Sequence, residues 1–347
     1  MTMPAAATLP WLDEALRDAL CTQRGHALLV HGAEGAGQFE FALALARAWL
    51  CETPPSERPL GLACERCDSC HLAQADQVHP DLCVLLPESL HVASGWWQRD
   101  DDREKIESGA RKASEFIKIE QVRSAIEFAS QTRSRARPKV VVIHPAERLQ
   151  TVAASALLKL LEEPQGGLRL VLASADADAL MATVRSRCQA LALPAPDTGR
   201  AVRWLADAGV ADAELLLAAS GGQPLAALDR HRQGLDAALW RRLPALVAAG
   251  DAQPLGKLPL RLAIESLHKL CHDAMSVAAG AAPRYFAQGS VAALASSLAP
   301  LAAWSRELDR VARHAGHAWS APVLLESLVG QGRRALAGEA DSVHSRR

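Results

Sequence analysis

The sequence predicts an α/β protein, with a parallel sheet covered by helices in the first half of the chain and helices alone in the second. Five short apolar runs alternate with helix-like stretches in the first half, as expected for parallel strands joined by helical crossovers. The runs lie at residues 27–31, 82–86, 140–144, 168–174 and 189–193. A glycine-spaced turn follows the first run. After Leu193-Pro194-Ala195-Pro196 the strand-like runs stop, and Ala-, Leu- and Arg-rich amphipathic segments continue to about residue 335.

Length and composition restrict the class of protein. At 347 residues the chain has room for two or three domains, since one domain takes ~100 to 200 residues. No run reaches the ~18 uncharged apolar residues of a membrane span, and residues 1–10 lack the features of a signal peptide, so we expect a cytoplasmic protein. The formal net charge of −1 disfavours a protein that coats DNA through its overall field.

The segment after the first apolar run has the glycine spacing of a phosphate-binding loop without its reactive side chains. It reads Gly32-Ala33-Glu34-Gly35-Ala36-Gly37-Gln38-Phe39. A working GxxxxGK[ST] loop needs a lysine for the phosphates and a hydroxyl for magnesium. Gln38 is neutral and Phe39 cannot bind a metal. Gly32 and Gly37 therefore mark a degenerate loop that we expect not to bind ATP productively, although an ordinary strand-to-helix turn explains the two glycines as well.

The third run, Val140-Val141-Val142-Ile143, is typical of a strand buried on both faces of a parallel sheet. In a nucleotide hydrolase the strand ends in acidic residues that hold magnesium and polarise the attacking water. His144 and Pro145 stand there instead. Two separate parts of one hydrolytic apparatus are missing together, which favours a nucleotide-hydrolase fold without hydrolysis.

Four of the eight cysteines have the spacing of a metal site: Cys51, then twelve residues, then Cys64, Cys67 and Cys70. Four thiolates can enclose zinc at about 2.3 Å per sulfur, with no position open for catalysis, so we predict a structural zinc module. An iron–sulfur cluster of the ferredoxin type requires a further cysteine at the position of Gln74, which disfavours such a cluster. A dithiol redox site is disfavoured as well, because it requires only two cysteines and three are closely spaced here. His71 or His79 could replace one cysteine. The other cysteines are predicted to be core thiols: Cys21, Cys83, Cys188 and Cys271.

Two further motifs follow the third run. The segment Ala153 to Pro164 contains the letters LLKLLEEP, and Thr183 to Cys188 ends in Ser186-Arg187-Cys188. Together with the degenerate glycine loop and the altered acidic strand, this order of motifs resembles the clamp-loader family of AAA+ proteins, the subunits that load the sliding clamp of bacterial DNA polymerase III. The resemblance covers residues 25–190. Over 195–335 it rests on length and helical character.

The resemblance implies a domain organisation. Residues 1–195 are implied to form an AAA+ P-loop-type core with a parallel sheet, and the zinc module lies near 51–70. A helical lid at 196–238 and an all-α collar at 239–335 follow, and 336–347 form a disordered tail. The implied partners are other clamp-loader subunits of the gamma/tau and delta types and, through the complex, the sliding clamp and primer–template DNA. No ATPase activity is expected from the isolated chain, which is implied to be a component of a DNA-directed DNA polymerase holoenzyme.

Arg187 is the residue to which the resemblance gives a catalytic role. The SRC motif of clamp loaders supplies an arginine finger to ATP on the adjacent subunit, where it stabilises the charge of the transferred phosphoryl group. A subunit with a degenerate site of its own can still do this. The other explanation is a surface ion pair, and Arg185 is the second choice for the finger.

Two other features leave alternatives open. Four cations lie between Arg133 and Lys139 and could contact DNA phosphates or a partner, although a solvated loop is the more common explanation. A charged insertion between Pro87 and Phe116 contains the pair Trp96-Trp97. The alternative functions are a free-standing divergent P-loop ATPase in replication or repair, with Glu147 as its acidic residue, and a zinc-dependent nucleic-acid binder.

Overall fold

A computed structural model of the chain describes residues 9–58, 61–74, 78–94, 96, 106, 108, 112–291, 297–313 and 320–338. Trp97, most of the charged insertion and the tail beyond residue 338 lie outside the described residues. The chain forms two compact units, residues 1–195 and 196–347. The further division of the second unit into a lid and a collar stays a prediction.

The first unit alternates strands and helices. In chain order its elements are α1 (Asp13–Thr22), β1 (Ala27–His31), α2 (Gln38–Leu50), α3 (Asp68–Leu72), β2 (Leu82–Leu85), α4 (Glu88–Ser94), α5 (Ile119–Ser130), β3 (Val140–Ile143), α6 (Thr151–Glu162), β4 (Arg169–Ser174), α7 (Ala182–Arg185) and β5 (Gln189–Ala192). The five strands fall on the five predicted apolar runs.

The strands form one parallel sheet in the order β2-β3-β4-β1-β5. Residues of β2 and β3 are buried on both faces, which explains why they read as continuous apolar runs. β5 lies at one edge and is largely exposed. A hydrophobic cluster on one face joins the sheet to α5 and α6. This is the predicted α/β core of AAA+ type.

The order of the strands determines which loops can meet. β1 lies beside β4, and β4 lies beside β3, so the carboxyl ends of these three strands share one edge of the sheet. The glycine loop, His144 and Ser174 therefore lie close together, although more than a hundred residues separate the loop from His144. This edge is where ligands bind in open parallel sheets.

The second unit is entirely helical within the described residues. Its helices are α8 (Thr198–Asp207), α9 (Ala213–Ala219), α10 (Pro224–Arg232), α11 (Ala237–Ala249), α12 (Leu260–Ala278), α13 (Gln288–Val291), α14 (Leu298–Arg313) and α15 (Ala321–Leu336). One small hydrophobic cluster joins α8, α9 and α10, and a larger one contains Trp240 and Trp304. None of the helices in the described part of the chain is long and apolar enough to cross a membrane.

Candidate functional site

The glycine loop is a strand-to-helix turn, as the sequence predicted. β1 ends at His31 and α2 begins at Gln38. Gly35 and Gly37 have φ values of +84° and +103°, a region that side chains other than glycine's avoid. Gly37 is the N-cap of α2. Gly32 is closely packed, because a Cβ at this position would lie 3.3 Å from the Cβ of Leu193.

At the position of the missing lysine, the side chain of Gln38 bonds back to the loop. The amide Nε2 of Gln38 donates hydrogen bonds to the carbonyl oxygens of Gly32 and Ala33, at 2.7 and 2.8 Å. On the other side of the turn, the indole Nε1 of Trp11 donates to the carbonyl of Ala36 at 2.9 Å. Gln38 and Trp11 are both buried. Sequence reasoning noted that Gln38 lacks the charge of the phosphate-binding lysine, but missed that its amide donates hydrogen bonds within the loop.

The other two substituted positions stack on each other. The rings of Phe39 and His144 have centroids 4.8 Å apart and planes inclined by 19°. Burial lowers the pKa of His144 to about 4, so the imidazole is neutral at pH 7. An aromatic pair therefore joins the start of α2 to the end of β3, where an active hydrolase holds magnesium between a hydroxyl and a carboxylate.

Glu147, the acidic residue considered for a divergent ATPase, is engaged elsewhere. Its carboxylate accepts a hydrogen bond from the hydroxyl of Ser174 at 2.7 Å and one from the backbone N–H of Ala175 at 3.2 Å. These contacts attach the turn after β3 to the end of β4. They give Glu147 a structural explanation that does not need a nucleotide.

A second acidic residue near the loop is buried, and no charged partner lies beside it among the described residues. Glu40 lies in the first turn of α2 and is 7 % exposed. Burial raises its pKa from the usual 4.5 to about 7, against the smaller opposing effect of a hydrogen bond from its own backbone N–H. The surroundings of the Glu40 side chain therefore favour its neutral form.

The four cysteines of the predicted metal site come together. The sulfur atoms of Cys51, Cys64, Cys67 and Cys70 all lie within 4.8 Å of one another. Cys64 and Cys70 are separated by 3.9 Å between their Sγ atoms, and so are Cys51 and Cys67. A tetrahedral zinc with bonds of about 2.3 Å sets its sulfurs about 3.8 Å apart. The cluster can therefore hold a metal ion, and its dimensions and its four sulfur donors fit zinc.

Backbone N–H groups point at the sulfur atoms of this cluster. Arg66 and Cys67 donate to the Sγ of Cys64 at 3.5 and 3.4 Å, and the N–H of Cys64 donates to the Sγ of Cys51 at 3.4 Å. A hydrogen bond from the side chain of Thr53 is the main reason why the pKa of Cys64 falls to about 5. These donors stabilise the thiolate of Cys64, the form of cysteine that binds metals, whereas burial raises the pKa of Cys70 in the same cluster.

The structure also decides which other residues belong to the cluster. Both ring nitrogens of His79 are hydrogen-bonded, to Ser69 and to the backbone of Asp81, and His71 is exposed. Neither belongs to the sulfur cluster. Among the cysteines predicted to be core thiols, Cys83 and Cys271 are buried and Cys188 is partly so. The prediction is wrong for Cys21, which is exposed because it lies on the outer side of α1.

Arg187 lies on the surface, paired with the LLKLLEEP motif. Its Nη2 is 2.7 Å from a carboxylate oxygen of Glu162, and its Nη1 donates to the carbonyl of Thr183 at 2.9 Å. The side chain of Arg187 is 37 % exposed. Arg185 instead pairs with Asp178, seven residues before it. The sequence contained both motifs but gave no sign that Glu162 and Arg187 meet.

The comparisons with known proteins determine the family. A family model described as "DNA polymerase III, delta subunit" matches residues 12–197, more than half of the chain. The chain belongs to the DNA polymerase III delta subunit family. The match covers the first compact unit, with the glycine loop, the cysteine cluster and the SRC motif.

Relatives in this family carry a more specific name. The chain is 36 % identical over 232 residues to DNA polymerase III subunit delta' of Pseudomonas aeruginosa, covering 65 % of this chain and 62 % of the relative. It is 33 % identical over 226 residues to DNA polymerase III subunit delta' of Escherichia coli K12, covering 63 % of this chain and 59 % of the relative. The match thus spans less than two thirds of the length of these relatives. A DNA polymerase III gamma-subunit-related protein of Thermotoga maritima gives a TM-score of 0.49 at 16 % identity, over 93 % of this chain and 99 % of that one.

Proposed function

We propose that the protein is a non-catalytic subunit of the DNA polymerase III clamp loader, assisting the ATP-dependent loading of the sliding clamp onto primed DNA in the cytoplasm. Family membership and the relatives named delta' support this role. One observation supports the proposal that the subunit is non-catalytic: its own side chains make contacts at the glycine loop. Gln38 bonds to Gly32 and Ala33, and Phe39 stacks on His144. The proposed partners are the gamma/tau and delta subunits and, through the complex, the clamp and primer–template DNA.

The contacts of Gln38 and Phe39 argue against ATP binding more strongly than the loss of the lysine and the hydroxyl does. A cleft that had only lost its lysine could still bind ATP weakly through backbone N–H groups. Here the side chains of Gln38 and Phe39 are themselves buried, the first bonded to the loop and the second stacked on His144. Phosphates could enter only after these contacts broke, and the buried amide and ring would then need new partners. We therefore expect neither hydrolysis nor tight ATP binding.

Arg187 is proposed to act on ATP held by a neighbouring subunit. In the isolated chain its guanidinium is held at the surface by Glu162 and Thr183. An exposed ion pair of this kind contributes at most about 1 kcal/mol, so a phosphate carrying more negative charge can displace Glu162 at little cost. Glu162 would then keep the finger extended between turnovers. The planar guanidinium of Arg187 can bind two phosphate oxygens at once, which a lysine ammonium does less well.

The cysteine cluster is proposed to hold one structural zinc ion. The residues that would bind it are Cys51, Cys64, Cys67 and Cys70. Four thiolates fill the coordination of zinc, so the ion would fix the insertion between α2 and β2 and take no part in phosphoryl transfer.

The proposal is tested by assembly and by ATP hydrolysis. Full-length chain is mixed with purified gamma/tau-type and delta-type subunits, and the complex is isolated before ATP turnover is measured with clamp and primed DNA. The chain alone should be inactive, and the complex should be active. The Arg187→Ala complex should assemble normally but lose the turnover of one motor site, while the neighbouring Arg185→Ala complex keeps it.

Two outcomes would count against this function. If no complex forms with clamp-loader subunits, the role as a subunit is wrong. Steady magnesium-dependent turnover by the isolated chain, abolished by Gly37→Val, would instead support the free-standing ATPase.

A further inference from the structure

The arginine-rich segment at residues 133–137, here called the arginine loop, is attached to the cysteine cluster. The guanidinium of Arg135 forms an ion pair with the carboxylate of Glu52, 83 residues earlier in the chain. The Nη2 of Arg137 donates to the backbone carbonyl of the same residue at 2.9 Å. Glu52 directly follows Cys51. Two of the three arginines in the loop are therefore occupied within the chain and are not free for an external phosphate.

A second attachment runs through the carboxylate of Asp81. This residue is fully buried, and its two oxygens accept the backbone N–H groups of Ser134 and Arg135, both at 3.0 Å. The N–H of Asp81 itself donates to the Nδ1 of His79 at 3.0 Å. Because Nδ1 accepts a hydrogen bond, the neutral imidazole carries its proton on Nε2.

The chain of hydrogen bonds then continues to the metal-binding segment. The Nε2 of His79 donates to the hydroxyl of Ser69 at 2.8 Å, and that hydroxyl donates to the carbonyl of Leu50 at 2.8 Å. Ser69 precedes Cys70, and Leu50 precedes Cys51. Both ends of the cysteine cluster are thus connected to the arginine loop, through exposed contacts at Glu52 and through the buried residues Asp81, His79 and Ser69.

We propose that metal binding by the cysteine cluster and ordering of the arginine loop are one coupled equilibrium. This inference rests on the proposed metal site. When the four sulfurs bind one ion, Cys51 and Cys70 fix the positions of the neighbouring residues Glu52 and Ser69. Glu52 can then contact Arg135, and Ser69 can contact His79. Without the ion, its bonds to the four sulfurs no longer hold the two segments together, so both attachments loosen and Arg135 and Arg137 are released. The coupling is reciprocal, so loss of the loop contacts must weaken metal binding by the same factor.

The first test measures the loop directly. Amide hydrogen exchange of the full-length chain is followed by mass spectrometry with zinc bound, and again after removal of zinc under reducing conditions. We expect the Ser134 and Arg135 amides to exchange at least tenfold faster without zinc, while α5 and α6 change less. Unchanged exchange of the loop in a chain shown to bind and lose zinc would overturn the coupling and leave the metal site intact.

The second test does not require a folded metal-free chain. Zinc affinity is measured by competition with a chromophoric chelator for Arg135→Gln and for Arg133→Gln, an exposed arginine of the same loop. Arg135→Gln should weaken zinc binding about threefold to tenfold, and so should Glu52→Gln. Arg133→Gln and the exposed Glu57→Gln should bind as the unmodified chain does. Equal affinities in all four variants would refute the coupling, whereas absence of zinc binding in the unmodified chain would refute the metal site itself.

Discussion

Replacing the buried Glu40 by glutamine should stabilise the protein at alkaline pH and leave its stability nearly unchanged in acid. Glu40 lies in the first turn of α2, where the helix dipole favours a negative charge. Burial nevertheless dominates and raises the pKa from 4.5 to about 7. The interior beside the glycine loop therefore prefers the protonated acid, which a glutamine amide resembles in size and lack of charge.

The size of the effect follows from linkage between ionisation and folding. A raised pKa means that the stability due to the neutral acid is fully present below the unfolded pKa of about 4.5 and is lost as the pH rises through about 7. A change from 4.5 to about 7 corresponds to about 3 kcal/mol. Glu40→Gln never ionises, so its free energy of unfolding should exceed that of the unmodified chain by up to about 3 kcal/mol at about pH 8.5.

Urea unfolding, followed by circular dichroism between about pH 4 and pH 8.5, measures this difference. Subtracting the unmodified chain from the variant at each pH cancels the contributions of the other titrating groups. Glu34→Gln, an exposed position in the same glycine loop, is the matched control and should show no such rise. A difference for Glu40→Gln that does not change with pH would refute the reasoning that Glu40 is held neutral by a dry environment.

Three further predictions test the remaining parts of the site. Phe39→Ala should lower the free energy of unfolding in urea by about 3 to 5 kcal/mol, because it removes a buried ring and its stack on His144. A change below about 1 kcal/mol would contradict the packing of Phe39 on His144. Elemental analysis should find one zinc per chain, and Cys67→Ser should lower it; iron or no metal in metal-replete protein contradicts the zinc site. Arg187→Ala should lower the clamp- and DNA-stimulated turnover of the assembled complex, since a finger is worth about a thousandfold or more at the site it serves. Arg187→Lys should not restore that turnover, and an unchanged rate in both variants would return Arg187 to a structural role.

The sequence alone predicted the parts of this protein that depend on neighbours along the chain. Continuous apolar runs are needed wherever a strand is buried on both faces, so β1 to β4 could be located. β5 is largely exposed at the edge of the sheet, and the sequence marked it only as a short apolar run. The glycine turn was visible because only glycine tolerates the φ values at Gly35 and Gly37. The cysteine cluster was predicted because the spacing of Cys64, Cys67 and Cys70 brings sulfurs together within a few residues.

Contacts between distant segments were decided only by the tertiary structure. The stack of Phe39 on His144 depends on the strand order, which sets β1 and β3 on either side of β4. The ion pair of Glu162 with Arg187 depends on how α6 packs beside α7. No periodicity or spacing encodes such pairs, because their geometry is set by the packing of whole elements and by which buried polar groups must find partners. For that reason the sequence showed which residues of a working phosphate-binding loop are replaced, and the structure showed what the replacing side chains Gln38, Phe39 and His144 contact.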